Sequence, residues 1–141
     1  MTDTRREAFQ RAEEFDALLN STRTIAMTRC DECHYDPLPL IRTGAKAHTL
    51  RGSARIVGQV AQVTMGGKRI PLWLRWVARE RVVWPEIATE EFAFADGFRG
   101  ASPLAAMTAF FKRLKGREPR EDDGFWLLHF EVFADRLEVR R

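Results

Sequence analysis

Four residues with the means to do chemistry stand within eight positions of one another: Gly44, Lys46, Thr49 and Arg51. A threonine hydroxyl is a weak nucleophile until a neighbouring base removes its proton. A lysine amine can be that base once its pKa is lowered, and burial or a second cation lowers it. Arg51 is a cation at the right separation. The arrangement then needs an acid to hold the lysine, and Leu40–Arg51 contains none. The carboxylate has to come from elsewhere in the chain.

The local pattern says how these side chains are placed. Leu40 and Ile41 read as the end of a short buried helix beginning near Leu38. Gly44 follows where a helix terminates in the left-handed region that suits a residue without Cβ. Thr49-Leu50-Arg51 opens a strand, so Thr49 and Arg51 project from one face. Lys46 lies in the turn between and can bend back toward Thr49. The plainer reading is a capped helix followed by a solvated lysine. The other is a site for an anionic or carbonyl-bearing ligand.

Around this segment, Thr4 and Glu7 have capping-box spacing, and Ala8, Ala12, Phe15 and Leu19 recur at helical intervals. Residues 24–28 read as a short strand. Cys30-Asp31-Glu32-Cys33-His34 has the spacing of haem c attachment and of half a zinc site. The plainer reading is a loop with two reduced thiols, because a zinc site needs further ligands. Arg55–Met65 reads as a strand, Gly66-Gly67 as a hairpin turn, and Lys68–Arg79 as the return strand. Pro71 predicts that this strand lies at an edge, at least near its start. One of its faces carries Arg69, Trp73, Arg75 and Arg79. Arginine neutralises phosphate and an exposed indole stacks a base; alternatively the arginines protect a sheet edge and Trp73 packs under another segment.

Asp96-Gly97 is a turn dipeptide between Phe94 and Phe98. Ser102-Pro103 starts a helix and Gly116 ends it. Leu104, Met107, Phe111 and Leu114 read as that helix's core stripe, not as a pocket. Phe125–Phe133 reads as a central strand with His129 as a core histidine. Leu137 and Val139 suggest a last strand.

The 141 residues suit one domain. Twenty-three basic and 20 acidic side chains give a net charge of +3, which permits an anionic partner without requiring one. No secretory leader or membrane-spanning run is evident, so the expected location is cytoplasmic. Oligomeric state is not specified by the sequence.

The order of these features resembles the ASCH (activating signal cointegrator homology) family, a branch of the PUA-like folds. Gly44-Ala45-Lys46-Ala47-His48-Thr49-Leu50-Arg51 matches G-x-K-x-x-T-x-R. Strands follow, then Ile87-Ala88, the turn Asp96-Gly97-Phe98, a serine-capped helix and a terminal aromatic strand. The resemblance covers residues 38–141 and leaves 1–37 as an N-terminal helix and loop extension. It implies an α+β fold: a small mixed β-barrel flanked by helices, with an added N-terminal helix. It also implies RNA or modified nucleosides as ligands, with no cofactor or metal. Some small members remove the acetyl group of N4-acetylcytidine with a lysine, a threonine and a glutamate; others are RNA-binding proteins or ribonucleases.

Carried over by motif, the lysine is Lys46 and the threonine is Thr49. The glutamate position is Asp96, one methylene shorter, with Glu90 and Glu91 as alternative acids. Three functions are then open. In an amidohydrolase, Lys46 deprotonates Thr49, Asp96 orients Lys46, and Arg51 with N–H groups near Gly44 holds the oxyanion. In an RNA-binding module or ribonuclease, Lys46, Arg51, Arg69, Trp73, Arg75 and Arg79 bind nucleic acid. The third is a scaffold that keeps the fold without chemistry.

Overall fold

Lys68–Val83 forms the longest strand and lies in the middle of the sheet. The structure, a computed structural model, describes residues 10, 11, 13–15 and 23–136. The strands are β1 (Arg23–Met27), β2 (His48–Arg51), β3 (Val60–Met65), β4 (Lys68–Val83) and β5 (Gly124–Asp135), in the order β1-β3-β4-β5-β2. β1 runs parallel to β3, and the other neighbours are antiparallel. The helices are α1 (Pro37–Thr43), α2 (Trp84–Ile87), α3 (Glu90–Ala95) and α4 (Pro103–Lys115). The result is an α+β fold in which a mixed half-barrel sheet is flanked by helices.

The Gly66-Gly67 turn joins β3 to β4, with both glycines at positive φ (58° and 79°). The edge expected from Pro71 holds only for the start of the strand: β4 pairs with β3 on one side, and its ladder with β5 on the other begins at Leu72. The register slips between Gln62 and Thr64, so the ladder there is interrupted opposite the residue that has no N–H. Gln62 Nε2 donates to the Ile70 carbonyl at that irregularity. β3 also starts later than the apolar pattern suggests. Residues 55–59 turn back across β4, with Gly58 N–H donating to the Trp76 carbonyl, and Ile56 and Val57 remain exposed.

One core lies on the sheet, where Ile25, Met27, Val63, Leu72, Leu74, Trp76 and Leu128 meet Ile41 of α1. A second joins Cys30, Cys33, Tyr35 and Phe98 to Ala93, Ala106 and Met107. Ser102 Oγ accepts from Ala105 N–H and fixes the start of α4; Gly116 ends it at φ 74°. β5 is central, as its two-sided apolar pattern indicates. His129 is not a core residue, however: its side chain is half-buried and faces Glu80 Oε1 at 3.3 Å.

Gln10, Arg11 and Glu13–Phe15 are helical, and the Phe15 ring stacks on Phe133 at 5.1 Å. The rest of the expected N-terminal helix and the expected strand at Leu137 and Val139 lie outside the described residues. Among the described residues no helix is long and apolar enough to cross a membrane.

Candidate active site

The Gly44 cap sets the position of Lys46. Gly44 has φ 82°, and its N–H donates to the Ile41 carbonyl while Lys46 N–H donates to the Leu40 carbonyl. This bend turns the Lys46 side chain inward, where its relative exposure is 1%. Lys46 Nζ donates to Asp96 Oδ1 at 2.8 Å and to the Asp96 main-chain carbonyl at 2.7 Å. Asp96 is therefore the acid the lysine needs. Neither glutamate takes its place: Glu90 accepts from Ser102 Oγ and Leu104 N–H at the start of α4, and Glu91 is exposed.

The turn that carries Asp96 depends on Gly97. Its φ is 111°, and a Cβ there would lie 3.0 Å from Tyr35 Cε1 and 3.2 Å from Leu40 Cδ1. Only a bare backbone approaches this closely. Two residues that the sequence reading did not single out complete the site. His48 Nδ1 lies 3.1 Å from the same Asp96 Oδ1, with its ring stacked on Phe92 at 5.0 Å. Tyr35 stacks on Phe98 at 4.4 Å, and Lys46 Nζ lies 5.6 Å from the Tyr35 ring centre. His48 was visible inside the motif as an interior position. Tyr35, the chain's sole tyrosine, carried no local signal.

Thr49 is buried, and its Oγ1 receives a hydrogen bond from Arg51 Nε at 3.2 Å. The strand alternation does place these two side chains together. Burial lowers the Lys46 pKa, opposed by Asp96 and assisted by Arg51. Burial also lowers Arg51 and raises the Tyr35 phenol, so Tyr35 remains protonated.

Above these groups is a cavity of about 280 Å³. Thr49, Arg51 and Asp96, with Thr28 and Lys115, form its polar part, and Lys46 binds Asp96 without lining it. Tyr35, Trp84, Phe98 and Phe125 form much of the rest. α4 contributes Met107, Phe110, Phe111 and Leu114. The stripe read as core is therefore in part also a cavity wall: Met107 and Phe111 belong to buried clusters and line the cavity as well. Leu114, at 64% relative exposure, is incompletely covered.

Of the expected oxyanion donors near Gly44, the Gly44 and Lys46 N–H groups are already engaged in the helix cap, and Gly44 does not line the cavity. Arg69, Trp73, Arg75 and Arg79 do not line it either. Trp73 is not an exposed stacking platform: it is buried beside Val60, with Phe133 and Ala134 against it. Arg75 pairs with Glu131, and Arg79 donates to the Arg55 carbonyl and lies over Trp126. Among the described residues no group of three or more His, Cys, Asp or Glu could hold a metal ion. Cys30 and Cys33 are buried and unpaired, and burial, then Cys30, pushes the Cys33 thiol up to about 11.

The half-barrel fold that carries this site has counterparts among solved structures. A crystal structure of an ASCH domain from Lactobacillus crispatus matches with TM-score 0.56 and 24% identity over 85% of this chain and 91% of that one. A DUF984 family protein from Enterococcus faecalis matches with TM-score 0.52 and 19% identity over 67% of this chain and 65% of that one. No family model and no curated protein matches the sequence. The fold is thus that of an ASCH domain.

Proposed function

We propose that this protein is an ASCH-family amidohydrolase that removes an acyl group from the exocyclic amine of a nucleobase, of which N4-acetylcytidine is the type. The observation that carries this reading is the buried Lys46–Asp96 pair directly behind a cavity that exposes Thr49 and Arg51. Tyr35, Trp84 and Phe98 give the cavity aromatic surface suited to a planar base. Asp96 Oδ2, which forms no hydrogen bond among the described residues, is available to a donor on the ligand.

The Thr49 hydroxyl adds to the acyl carbonyl, and its proton passes to the neutral form of Lys46; because Lys46 Nζ is held by Asp96 and Thr49 Oγ1 by Arg51, the transfer needs Lys46 to swing from Asp96 toward Thr49. Burial makes that form more accessible than it is on a surface lysine. Arg51, already within reach of Thr49 Oγ1, stabilises the developing negative charge. The C–N bond then breaks, the proton returns to the departing amine, and an acyl ester remains on Thr49. Water hydrolyses the ester, releasing the carboxylic acid and restoring the hydroxyl.

The test is hydrolysis of N4-acetylcytidine by the wild type, Lys46→Ala, Thr49→Ala and Asp96→Asn, followed as release of cytidine. The wild type is expected to turn over and each variant to lose activity. Equal rates in all four proteins would remove the proposal.

A further inference from the structure

Next to the cavity is an open groove of about 550 Å³ lined by Arg23, Thr24, Ser53, Ala54, Arg55 and Arg69. Two chain segments pass from one site to the other. Residues 26–28 line the cavity and residues 23 and 24 the groove; residues 49–52 line the cavity and 53–55 the groove. The groove thus begins where the cavity's polar part ends.

Its chemistry is one-sided. Three guanidiniums line it, with two hydroxyls and no carboxylate. Among the described residues, Arg23, Arg55 and Arg69 form no salt bridge, whereas Arg42, Arg75 and Arg117 each face an acid. Neutral contacts hold two of the three in place. Arg55 Nη1 donates to the Thr24 carbonyl and its Cζ lies 5.9 Å from the Trp76 ring centre; Arg69 Nη1 donates to Gln62 Oε1. The like charges are close enough to act on one another. Burial, then Arg23, lowers Arg55, and Arg55 adds to the burial that lowers Arg51 inside the cavity. A line of guanidiniums without a protein counter-ion is stabilised by an anion placed among them.

We propose that the Arg23/Arg55/Arg69 groove is a phosphate subsite for the ligand whose base occupies the cavity, so that a nucleotide, free or within an oligonucleotide, binds more tightly than the bare nucleoside. This rests on the nucleobase reading of the cavity and adds the part of the ligand that the cavity cannot hold. Arg55 and Arg69 are held in place by their neutral partners, and Arg23 completes the lining.

The experiment measures binding, so that it is independent of turnover. Cytidine, its 5′- and 3′-monophosphates and a short cytidine oligonucleotide are titrated into the wild type and the Arg23→Gln/Arg69→Gln variant by calorimetry. Arg55 is left intact because it also supports Thr24 and Trp76. At least one phosphate-bearing ligand is expected to bind roughly tenfold or more tighter than cytidine, the scale of one charge-assisted contact. The variant loses that advantage and keeps its affinity for cytidine. The mononucleotide and oligonucleotide arms distinguish a terminal from an internucleotide phosphate.

Equal binding of all four ligands, an advantage that persists in the variant, or no binding of any phosphate-bearing ligand would overturn the subsite. Hydrolysis, assayed separately, distinguishes it from the reading on which it rests. A phosphate advantage without acyl hydrolysis removes only the reaction. Hydrolysis without a phosphate advantage removes only the subsite.

Discussion

Lys46 Nζ binds Asp96 at two points, the side-chain Oδ1 at 2.8 Å and the main-chain carbonyl at 2.7 Å. The two contacts place the backbone of the Asp96-Gly97 turn against the lysine. The acid therefore has little distance to span, and aspartate suffices where the resemblance implies a glutamate. His48 at 3.1 Å from Asp96 Oδ1 further restricts the carboxylate.

The pair is strongly buried, so its halves depend on one another. Lys46→Met leaves Asp96 without its cation and is expected to lower unfolding free energy by about 3–5 kcal/mol, the range for breaking a buried ion pair. Removing both charges in Lys46→Met/Asp96→Leu restores most of that loss. Denaturant titration of the three proteins checks this; additive losses would show that the two side chains are not coupled.

Gly97 sets the approach of the turn. Gly97→Ala places a Cβ 3.0 Å from Tyr35 Cε1 at a backbone with φ 111°. The expected loss of stability is about 1–3 kcal/mol, combining strain with overpacking. Gly52→Ala is the control, since a Cβ there meets nothing within 4 Å and its φ lies outside the left-handed range. Thermal melts that shift equally for both variants would contradict the role given to Gly97.

Much of this arrangement follows from local sequence signals. Gly44 past a short helix, Thr49 and Arg51 on one strand face, the Asp96-Gly97 turn and the Ser102-Pro103 helix start are each set by neighbours in the chain. The sequence also implied that Lys46 needs an acid, and the family resemblance indicated Asp96. What escaped reading is non-local. Whether Pro71 lies at an edge depends on which strands flank β4, and its bulge appears only in the β3–β4 register. Trp73 is buried by residues 60 and 133–134. Helical spacing identifies Met107 and Phe111 as apolar positions, but does not say whether their neighbours fill the space before them.

Burial of Lys46 has a defined pH consequence. Its folded-state pKa lies below the ordinary 10.5, while the unfolded chain keeps the ordinary value. Between the two values the unfolded chain binds the extra proton, so this residue's contribution to stability rises with pH through that window. In the proposed reaction the neutral amine is the base, so kcat/KM for acyl hydrolysis is expected to rise along a limb centred below 10.5. A pH–rate profile that rises only at or above the ordinary lysine value would contradict this.

Arg51 binds Thr49 Oγ1 from inside the cavity. Arg51→Leu is expected to lower kcat by roughly a hundredfold, the scale of losing one oxyanion donor, and Arg51→Lys by less. Steady-state kinetics with intact circular dichroism measures it. An unchanged kcat in Arg51→Leu would remove Arg51 from the reaction.

The central claim is that Thr49, backed by the Lys46–Asp96 pair, carries the acyl group. Rapid quenching during turnover of N4-acetylcytidine, followed by peptide mass analysis, tests it most directly. The account predicts one acetyl group on Thr49 in the wild type and none at this position in Thr49→Ala, which is inactive. Turnover by Thr49→Ala at the wild-type rate, with no acetyl group on Thr49 of the wild type, would contradict it.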